Sequence, residues 1–590
     1  MWVKKFSRYS EELLKERLYF LRIFFAGVFL LFSARIFFLQ ILHGRKYLEQ
    51  AEGNRLSVFL VPALRGEILA GTRVLASNRI SYSLIWSDPG KRREPEWLDE
   101  LAGILGKNKK ELQWNIITSH RRGYPLVYIM RRMSREEAIR LEEKMSLYPG
   151  LRILPEPVRT YPEPEAFSHV LGYIGEVTKA ELKVFPENYL LGSLVGKDGL
   201  EKTFDRYLRG KEGGSVVEVD AQGRVVRLVE DTLPESGSSL RLALDPDLQT
   251  LAYALLGGKR GVVLGADPDT GKMLVCVSSP GFDPEKFCMA DQQEIEKIFR
   301  DTEHPLLNRT IQSRYSPGSV FKIILAMANI ETNKFGFSEK IYCEGKFFLN
   351  NIEFACWKEE GHGEMDFARG IINSCNVYFY KLGLRLGVET ISHYARLAGM
   401  NLKSEVELPY EVGGLVPDPS WKRKTHKYPW LPGDTVNLSI GQGWLSITPM
   451  EMLLMGMGVS GEGKIFRPYL VEGIYDENGS PVKMIEPEVL HSYELKKKTW
   501  IFLKENLRRV VEEGTGRGVR VEGLTLCGKT GTSQNPFGKP HSWFLSFNED
   551  AKKMVLLVLV ENGGMGSEVA VPISRAIWKK FKELNFDEKI

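Results

Sequence analysis

Ser319 and Lys322 are the first residues whose types and spacing suggest covalent chemistry. They lie in the stretch YSPGSVFKIILAMANI, in which Pro317 and Gly318 end a loop and an apolar helix is predicted to begin at Ser319. On a helix the two side chains share one face, so the lysine amine is predicted to reach the serine hydroxyl. Serine needs such a base to act as a nucleophile, and N–H groups at a helix start stabilise an oxyanion. The pattern S-x-x-K is common by chance, and a capping serine beside a solvated lysine is the alternative.

Two further motifs follow in an order that strengthens this assignment. Ser374-Cys375-Asn376 comes after an apolar run, and Lys529-Thr530-Gly531-Thr532 precedes strand-like segments near the end of the chain. Each motif alone is explained by helix-capping or solvated side chains. Together, S-x-x-K, S-x-N and K-T-G in this order resemble the signature set of the penicillin-recognising serine acyltransferases.

Four other stretches narrow the resemblance to the class B penicillin-binding proteins. Three are similar to the pedestal of that class and the fourth to its transpeptidase domain: PALRGEIL around Arg65 and Gly66, RTYPEPEAFSHVLGYIG around Tyr161 and His169, GKDGLEKTFDRYLRG around Gly199 and Glu201, and WLPGDTVNLSIGQGWLSITPMEM around Gly441. The glycosyltransferase signature of class A is not found. Chain length and the segment HVLGYIG favour the elongation group over the division group. The stretch LAGTRVLASN departs from the turn that the class often has there.

The resemblance implies a role for each motif residue. Ser319 would attack the carbonyl between the two terminal D-alanines of a peptidoglycan stem peptide, with neutral Lys322 taking the hydroxyl proton. Ser374 would relay that proton to the leaving amine, and Asn376 would hold the peptide and Lys322. The backbone N–H groups of Ser319 and Thr532 would form the oxyanion hole. β-Lactams would react as substrate mimics. The substrate carboxylate would be held by Lys529, Thr530 and Thr532, beside Gly531.

The base in this scheme must be uncharged near neutral pH. A lysine in water is protonated there, because its ordinary pKa is about 10.4. We expect burial and the nearby charge of Lys529 to lower the pKa of Lys322, since both disfavour a second ammonium.

Four of the six cysteines fall between Cys288 and Cys375, and three of these form a spaced set with a histidine. The spacing is C-x12-C-x5-H-x12-C, a soft ligand set that zinc accepts tetrahedrally. A disulfide in an oxidising exterior and buried unpaired thiols are the alternatives. The resemblance favours a structural zinc site, which some relatives carry in this region. Its predicted ligands are Cys343, Cys356, His362 and Cys375, and the predicted core cysteines are Cys276, Cys288 and Cys527.

An apolar segment from Leu18 to Leu42 is predicted to be a single transmembrane anchor. Arg22 and Arg35 lie about one turn from its ends, where their side chains can extend toward the membrane surface. A cleaved signal peptide is the alternative, but the charged lead is long and no small-residue cleavage site follows. Basic residues are enriched before the span, so the amino terminus is predicted to be cytoplasmic and the rest of the chain extracytoplasmic at the inner membrane.

The remaining chain is predicted to have an α+β fold in two parts. Residues 1–17 form a cytoplasmic tail, 18–42 the anchor, 43–240 an extended α+β pedestal of the dimerisation type, and 241–586 the penicillin-binding domain. In that last part, GVVLGADPDTGKMLVCVSS is predicted to be a hairpin, HSWFLSF and KMVLLVLVEN two strands, and residues 570–584 a helix. We expect early and late strands to pair in an antiparallel sheet flanked by helices, five-stranded as the resemblance implies.

Partners and rival functions follow from the same observations. The net charge is +5, from 80 basic and 75 acidic residues spread along the chain, which gives nucleic-acid binding no support. The resemblance implies peptidoglycan stem peptides and β-lactams as ligands, with a RodA-like SEDS glycosyltransferase and other elongation-complex proteins as partners. A division-type transpeptidase, a β-lactamase or D-alanyl carboxypeptidase, and a non-catalytic β-lactam sensor are the alternatives.

Overall fold

The computed structural model describes residues 2–43, 45, 56–86, 97–122, 127–148, 151–184, 189, 193–219, 225–289 and 292–586. The chain divides into two compact units that do not follow chain order. The smaller unit consists of Met1–Pro62, Tyr82–Pro155 and Glu212–Glu235. The larger unit consists of Ala63–Ser81, Glu156–Lys211 and Ser236–Ile590.

The smaller unit begins with the apolar helix predicted from the sequence. This helix covers Trp2–Phe37 and continues as a short π-helical stretch over Phe38–Leu42. The part from Arg17 to Leu42 is long and apolar enough to cross a membrane, and none of it is buried. An apolar helix of this length, left unburied by the residues that the structure describes, is consistent with a single-pass membrane anchor.

The rest of the smaller unit is a mixed α+β structure. Leu56–Val61, Gly213–Val219 and Val225–Thr232 form a three-stranded antiparallel sheet in that order. The charge-rich run after Ser134 is helical as predicted, because Ser134 and Glu137 cap its first turn reciprocally. The other helices are Leu98–Leu105, Lys109–Arg122, Arg135–Glu142 and the 3₁₀ turn Met145–Leu147, and the other strands are Val127–Met133, the end of Arg73–Trp86 and the start of Leu151–Thr160.

The larger unit contains all three chemical motifs. Its helices are Pro164–Leu171, Lys179–Val184, Gly199–Thr203, Asp205–Leu208, Pro246–Leu256, Pro284–Cys288, Gln292–Arg300, Lys322–Thr332, Phe367–Ile372, Asn376–Leu386, Val388–Leu397, Pro419–His426, Pro432–Leu438, Pro449–Ser460, Lys497–Glu512 and Ala570–Asn585, with 3₁₀ turns at Gly318–Phe321 and Arg517–Val519. Its shorter strands are Ile68–Ala70, Ile174–Glu176, Leu194–Gly196, Ser239–Leu242, Ile341–Cys343, Lys346–Leu349, Ile352–Ala355, Gly363–Met365, Lys464–Phe466, Val471–Tyr475, Pro481–Met484 and Val489–Ser492.

A five-stranded antiparallel sheet forms the centre of the larger unit, which confirms the prediction. The first two strands are the predicted hairpin, and the Asp-Pro-Asp-Thr-Gly turn between them places Gly271 at φ +84°. The early strand Gly261–Ala266 pairs with the late strand Val555–Val560, so both ends of the domain share one sheet. The strand order is Met273–Ser279, Gly261–Ala266, Val555–Val560, His541–Asn548 and Leu526–Ser533.

Helices cover both faces of this sheet, which explains why its central strand Val555–Val560 is apolar at every position. In Val555–Val560 alternate residues enter two different cores, and all six side chains are fully buried. One core contains Leu557 and the helix Pro449–Ser460, and the other contains Leu556 and the helix Ala570–Asn585. The sheet is therefore a rigid platform, and Leu526–Ser533 lies at its edge.

A buried ion network lies in the larger unit among the residues that carried the resemblance to the class B pedestal. Glu201 is fully buried and pairs with Arg65 and with Arg159, 2.7 Å from the Nε of Arg159. Arg65 also donates to Asp205 at 2.8 Å, and the Tyr161 hydroxyl donates to Glu201 at 3.3 Å. Because each charge here depends on the others for compensation, removing one partner is costly.

We predict that Glu201→Ala lowers the unfolding free energy of the larger unit by about 3–5 kcal/mol, because it leaves Arg159 buried without its carboxylate partner and Arg65 with Asp205 alone. The measurement is a urea unfolding curve of the detergent-solubilised chain, followed by tryptophan fluorescence. The control is Arg300→Ala, which removes the exposed partner of Glu296 and is expected to change the midpoint little. Equal midpoints for Glu201→Ala and the unmodified chain would show that the network does not stabilise this unit.

Candidate active site

The nucleophile Ser319 lies in a short turn that comes just before the regular α-helix. Gly318–Phe321 forms a 3₁₀ turn, and the α-helix that contains Lys322 runs from Lys322 to Thr332. We predicted an α-helix from Ser319. The difference arises because the Gly318 N–H donates to the carbonyl of Gly441 at 3.0 Å, which tightens this turn. Ser319 is half-buried there.

A second segment, Gly441–Ile447, braces the residues before the nucleophile. Tyr315 and Ile447 exchange two backbone hydrogen bonds, and the Ser316 hydroxyl donates to the carbonyl of Leu445 at 3.2 Å. A Cβ on Gly441, which has φ +70°, would lie 2.2 Å from the carbonyl oxygen of Gly318. Only glycine permits this approach, so the backbone of Gly441 sets the position of the nucleophile turn.

The amine of Lys322 is directed into the S-x-N motif. Its Nζ lies 2.8 Å from the carbonyl oxygen of Ser374, 3.3 Å from the Ser374 hydroxyl and 2.7 Å from the amide oxygen of Asn376. The Ser319 hydroxyl makes no side-chain hydrogen bond to a residue that the structure describes. Instead of the predicted contact with Ser319, the amine in the resting chain contacts three oxygen atoms of Ser374 and Asn376.

Lys529 approaches the same hydroxyl from the edge strand. Its Nζ lies 2.8 Å from Ser374 Oγ. Ser374 is buried and has φ +52°, a conformation that a non-glycine residue adopts at a cost and that is typical of functional sites. The structure therefore brings together Ser374, Asn376, Lys322 and Lys529 as predicted.

Burial changes the protonation of both amines. Removal from water lowers the pKa of Lys322 to about 8, and the nearby Cys375 and Cys356 oppose this shift. Burial also lowers the pKa of Lys529 well below its usual value, and the charge of Lys322 lowers it further. We expected both burial and the charge of Lys529 to lower the pKa of Lys322. Burial does so, but the repulsion between the two amines lowers the pKa of Lys529 instead. Two ammonium groups around one hydroxyl are disfavoured, so a neutral amine is available to accept a proton.

The edge strand Leu526–Ser533 presents the K-T-G motif beside the nucleophile turn. A Cβ on Gly531 would lie 2.9 Å from the carbonyl oxygen of Pro317, and one on Gly318 would lie 2.7 Å from that of Thr532. The Thr530 hydroxyl is hydrogen-bonded to that of Thr515 at 2.7 Å, and the Thr532 hydroxyl accepts from a backbone N–H at 3.1 Å. Both hydroxyls predicted to hold a carboxylate are thus held in position on this strand.

Two residues at the site were not predicted from the sequence. Thr515 contacts the K-T-G motif across 15 residues of chain. The indole N–H of Trp357 lies 3.1 Å from the carbonyl oxygens of both Asn373 and Ser374, so it supports the turn that carries Ser374. Neither residue lies in a motif that marks it, because each contact depends on the tertiary fold.

The predicted cysteine and histidine ligands converge at one point beside the S-x-N motif. The ligand atoms of Cys343, Cys356, His362 and Cys375 all lie within 4.8 Å of one another. The Nδ1 of His362 lies 3.6 Å from the sulfur of Cys343 and 3.5 Å from that of Cys356. A hydrogen bond with Cys375 lowers the pKa of Cys356, which favours its thiolate.

This donor set fits zinc. In a tetrahedral site with bonds of about 2.0–2.3 Å, neighbouring ligand atoms lie about 3.5–3.8 Å apart, close to the histidine–sulfur separations observed. All six cysteines are buried free thiols, so the disulfide alternative is not realised here. Cys276, Cys288 and Cys527 lie in the core away from the cluster, as predicted.

We predict that Gly441→Ala slows acylation by penicillin at least about tenfold, because the new methyl group collides with the carbonyl of Gly318 and displaces the nucleophile turn. The control is Gly443→Ala. Gly443 has φ +76°, so an alanine there would introduce the same backbone strain. The atom nearest to its new Cβ, however, would be a side-chain carbon of Asn437 at 3.2 Å. Stopped-flow acylation separates the two variants, and equal rates for both would refute the role assigned to this brace.

Two protein families match most of the chain. Residues 261–579 match the family described as Penicillin binding protein transpeptidase domain. Residues 60–242 match the Penicillin-binding Protein dimerisation domain. The nucleophile, S-x-N and K-T-G motifs all lie within the first of these regions, and the buried ion network lies within the second.

Similar proteins extend over nearly the whole chain. The peptidoglycan D,D-transpeptidase MrdA of Acinetobacter baumannii is 30% identical over 95% of this chain and 88% of its own length. The MrdA of Haemophilus influenzae is 28% identical over 94% of this chain and 90% of its own length. The penicillin-binding protein PBP2 of Helicobacter pylori, solved in complex with MreC, has a TM-score of 0.78 and 28% identity over 90% of this chain and all of its own. The chain therefore belongs to the class B penicillin-binding proteins, in the PBP2 or MrdA group of elongation-type peptidoglycan D,D-transpeptidases.

Proposed function

We propose that this chain cross-links peptidoglycan stem peptides through an acyl-enzyme on Ser319. The observation that carries the proposal is the convergence of two buried amines, from Lys322 and Lys529, on the hydroxyl of Ser374. The nucleophile turn lies against the strand of Lys529, as the close approach of Gly318 to Thr532 requires. A nucleophile, a base and a proton relay thus lie within one small region.

The acylation step uses these groups in sequence. Ser319 Oγ bonds to the carbonyl carbon between the two terminal D-alanines, and its proton passes to the neutral amine of Lys322. Hydrogen bonds between a nucleophile and its base are often long without substrate and tighten when substrate binds. The lack of a Ser319–Lys322 hydrogen bond in the described structure is therefore compatible with this role. The carbon–nitrogen bond then breaks, and the proton reaches the departing amine through Ser374. The terminal D-alanine leaves with its carboxylate held by Lys529, Thr530 and Thr532.

The second step returns the enzyme to its starting state. The amine of a neighbouring stem peptide attacks the ester carbonyl and forms a new peptide bond. Ser319 recovers its proton, and no oxidant or other co-reactant is consumed. Backbone N–H groups of Ser319 and Thr532 would stabilise the oxyanion in both steps. A β-lactam would enter the first step in place of the stem peptide and stay bound as an ester.

The membrane arrangement belongs to the same proposal. Residues 1–17 form the cytoplasmic tail, 18–42 the anchor, 43–240 the pedestal and 241–586 the catalytic domain on the outer side of the inner membrane. The PBP2 of Helicobacter pylori forms a complex with MreC. A further relative with a TM-score of 0.71 and 27% identity belongs to a peptidoglycan synthase complex that coordinates polymerization and crosslinking. By analogy, we propose elongation-complex partners, including a RodA-like glycosyltransferase, for this chain.

We predict that Ser319→Ala abolishes covalent labelling by a fluorescent penicillin, because no other hydroxyl occupies the nucleophile turn. Ser316→Ala is the matched control, since this neighbouring hydroxyl is committed to the carbonyl of Leu445. It is expected to keep most of the labelling. Labelling of Ser319→Ala at the unmodified level would contradict the assignment, and rapid loss of label from the unmodified chain would favour a β-lactamase or carboxypeptidase instead.

We also propose that Cys343, Cys356, His362 and Cys375 bind a structural zinc ion. A closed site with four protein ligands stabilises the local fold and takes no part in the chemistry. Zinc bound there would cross-link the hairpin regions around Cys343 and Cys356 to Cys375. Since Cys375 lies between Ser374 and Asn376, a zinc ion bound to Cys375 would restrict the backbone movement of these two active-site residues.

We predict about one zinc per chain in protein purified without chelator, and a loss of most of it in Cys356→Ser. Cys527→Ser removes a buried thiol outside the cluster and is expected to keep the zinc. Elemental analysis gives the metal content, and thermal unfolding gives its effect on stability. Chelation is expected to lower the melting temperature and slow penicillin acylation without abolishing it. A zinc content below about 0.2 per chain would rule the site out.

A further inference from the structure

Glu561 follows directly after the central strand Val555–Val560, and its carboxylate accepts from three side chains. Its Oε1 lies 2.8 Å from the Nε of Arg309 and 2.7 Å from the hydroxyl of Tyr315. Its Oε2 lies 3.2 Å from the Nε of Arg260. The backbone N–H of Glu561 also donates to the carbonyl of Arg260 at 2.8 Å. The carboxylate is therefore fixed at the end of the central sheet, and two guanidinium groups compensate its charge.

The buried guanidinium of Arg309 keeps this carboxylate in one orientation. Besides its contact with Glu561, it donates to the backbone carbonyl of His304 at 3.2 Å and to that of Glu303 at 2.7 Å. All three of its nitrogens are thus occupied. Because the guanidinium is a rigid fork, Arg309 cannot turn without breaking several of these hydrogen bonds at once. The position offered to the Tyr315 hydroxyl is fixed as a result.

Tyr315 is held to the sheet on several sides. Its ring makes edge contacts with the rings of His541 and Trp543 on the neighbouring strand, with centroids 5.4 and 6.1 Å apart. Its backbone is paired with that of Ile447. Burial, and then the charge of Glu561, raise the pKa of Tyr315, so its hydroxyl keeps the proton that it donates. The hydroxyl is the polar link between this side chain and the end of the central strand.

The chain from Tyr315 to the nucleophile depends on such contacts for its position. Ser319 comes four residues after Tyr315, at most about 14 Å along the chain. Between Tyr315 and the 3₁₀ turn that begins at Gly318, the chain belongs to no helix or strand. A displacement of about 1 Å at a reacting group can slow a reaction by on the order of a hundredfold. A contact that fixes Tyr315 can therefore control the reactivity of Ser319 without touching substrate.

We propose that Glu561 is a positioning residue for acylation, which acts by holding the nucleophile turn against the central sheet through the hydroxyl of Tyr315. The inference rests on the proposed acyl-enzyme at Ser319. It assigns Glu561 and Tyr315 to the rate of the acylation step and gives them no part in the affinity for the donor.

The test measures acylation of the full-length chain by a fluorescent penicillin in a stopped-flow instrument, which separates the dissociation constant of the first complex from the acylation rate constant. Tyr315→Phe keeps the ring and leaves Glu561 paired with both arginines. The acylation rate constant is expected to fall roughly five- to twentyfold, because a hydrogen bond to a charged group is lost and the turn is less well placed. The dissociation constant and the fraction of chains finally labelled are expected to stay unchanged.

A second substitution tests whether Glu561 acts through Tyr315. Glu561→Gln keeps an oxygen that can accept from the tyrosine but removes the charge. It is expected to slow acylation a few-fold in the chain that has Tyr315, and to cause no further loss in the Tyr315→Phe chain, because coupled residues are not additive. Equal losses in both chains would show that Glu561 acts by another route and would overturn the inference.

The matched control is Tyr253→Phe, which removes another tyrosine hydroxyl of the same unit, one that donates to Glu165 at 3.0 Å. It is expected to leave the acylation rate constant unchanged. The inference is also overturned if Tyr315→Phe keeps the original rate constant, if it lowers only the affinity or the labelled fraction, or if Tyr253→Phe produces the same loss. Failure of the proposed function itself would differ, because the unmodified chain would then not be labelled at Ser319.

Discussion

The burial of two lysine amines around one serine hydroxyl is the constraint on which the rest of the site depends. Lys322 and Lys529 are 1% and 0% exposed, lie on different elements, and both contact Ser374 Oγ. Two full positive charges at this separation repel strongly when water is excluded. Repulsion from Lys322 adds to the burial that lowers the pKa of Lys529, while burial lowers the pKa of Lys322 to about 8, so Lys322 becomes a neutral base as the pH rises through that value. Burial of an ordinary lysine side chain is therefore enough to provide the base.

Close backbone contacts make this burial possible. Gly318, Gly441 and Gly531 allow the nucleophile turn, its brace and the edge strand to approach at distances that a Cβ would prevent. Ser374 accepts a left-handed conformation at its turn, supported by the indole of Trp357. Cys375 belongs both to the cysteine cluster and to this turn, so a change in the geometry of the cluster also changes the position of Ser374. Helices on both faces keep the central sheet rigid, and the edge strand is held by its hydrogen bonds to that sheet.

The sequence predicted local features well and tertiary contacts poorly. The Asp-Pro-Asp-Thr-Gly turn, the apolar strands and the final helix followed from residue patterns, and the motif order indicated which residues converge. The spacing of the cysteines and His362 likewise indicated a cluster, because the ligand types restrict the possibilities. The start of the nucleophile helix was predicted one turn early, since that turn is shaped by Gly441 from a distant segment. The contacts of Thr515 and Trp357, and the partners chosen by Lys322, also depend on segments brought together only by the fold.

The pH dependence of penicillin acylation tests the central claim most directly. The neutral form of the buried amine is the active one, so the rate must rise as the pH increases through the pKa of that amine. Because burial lowers the pKa of Lys322 to about 8, we expect the acylation rate of the unmodified chain to rise with a midpoint near that value. A rate that stays low until the pH approaches the ordinary lysine value of about 10.4 would show that the amines are not held neutral by burial, and would contradict the account.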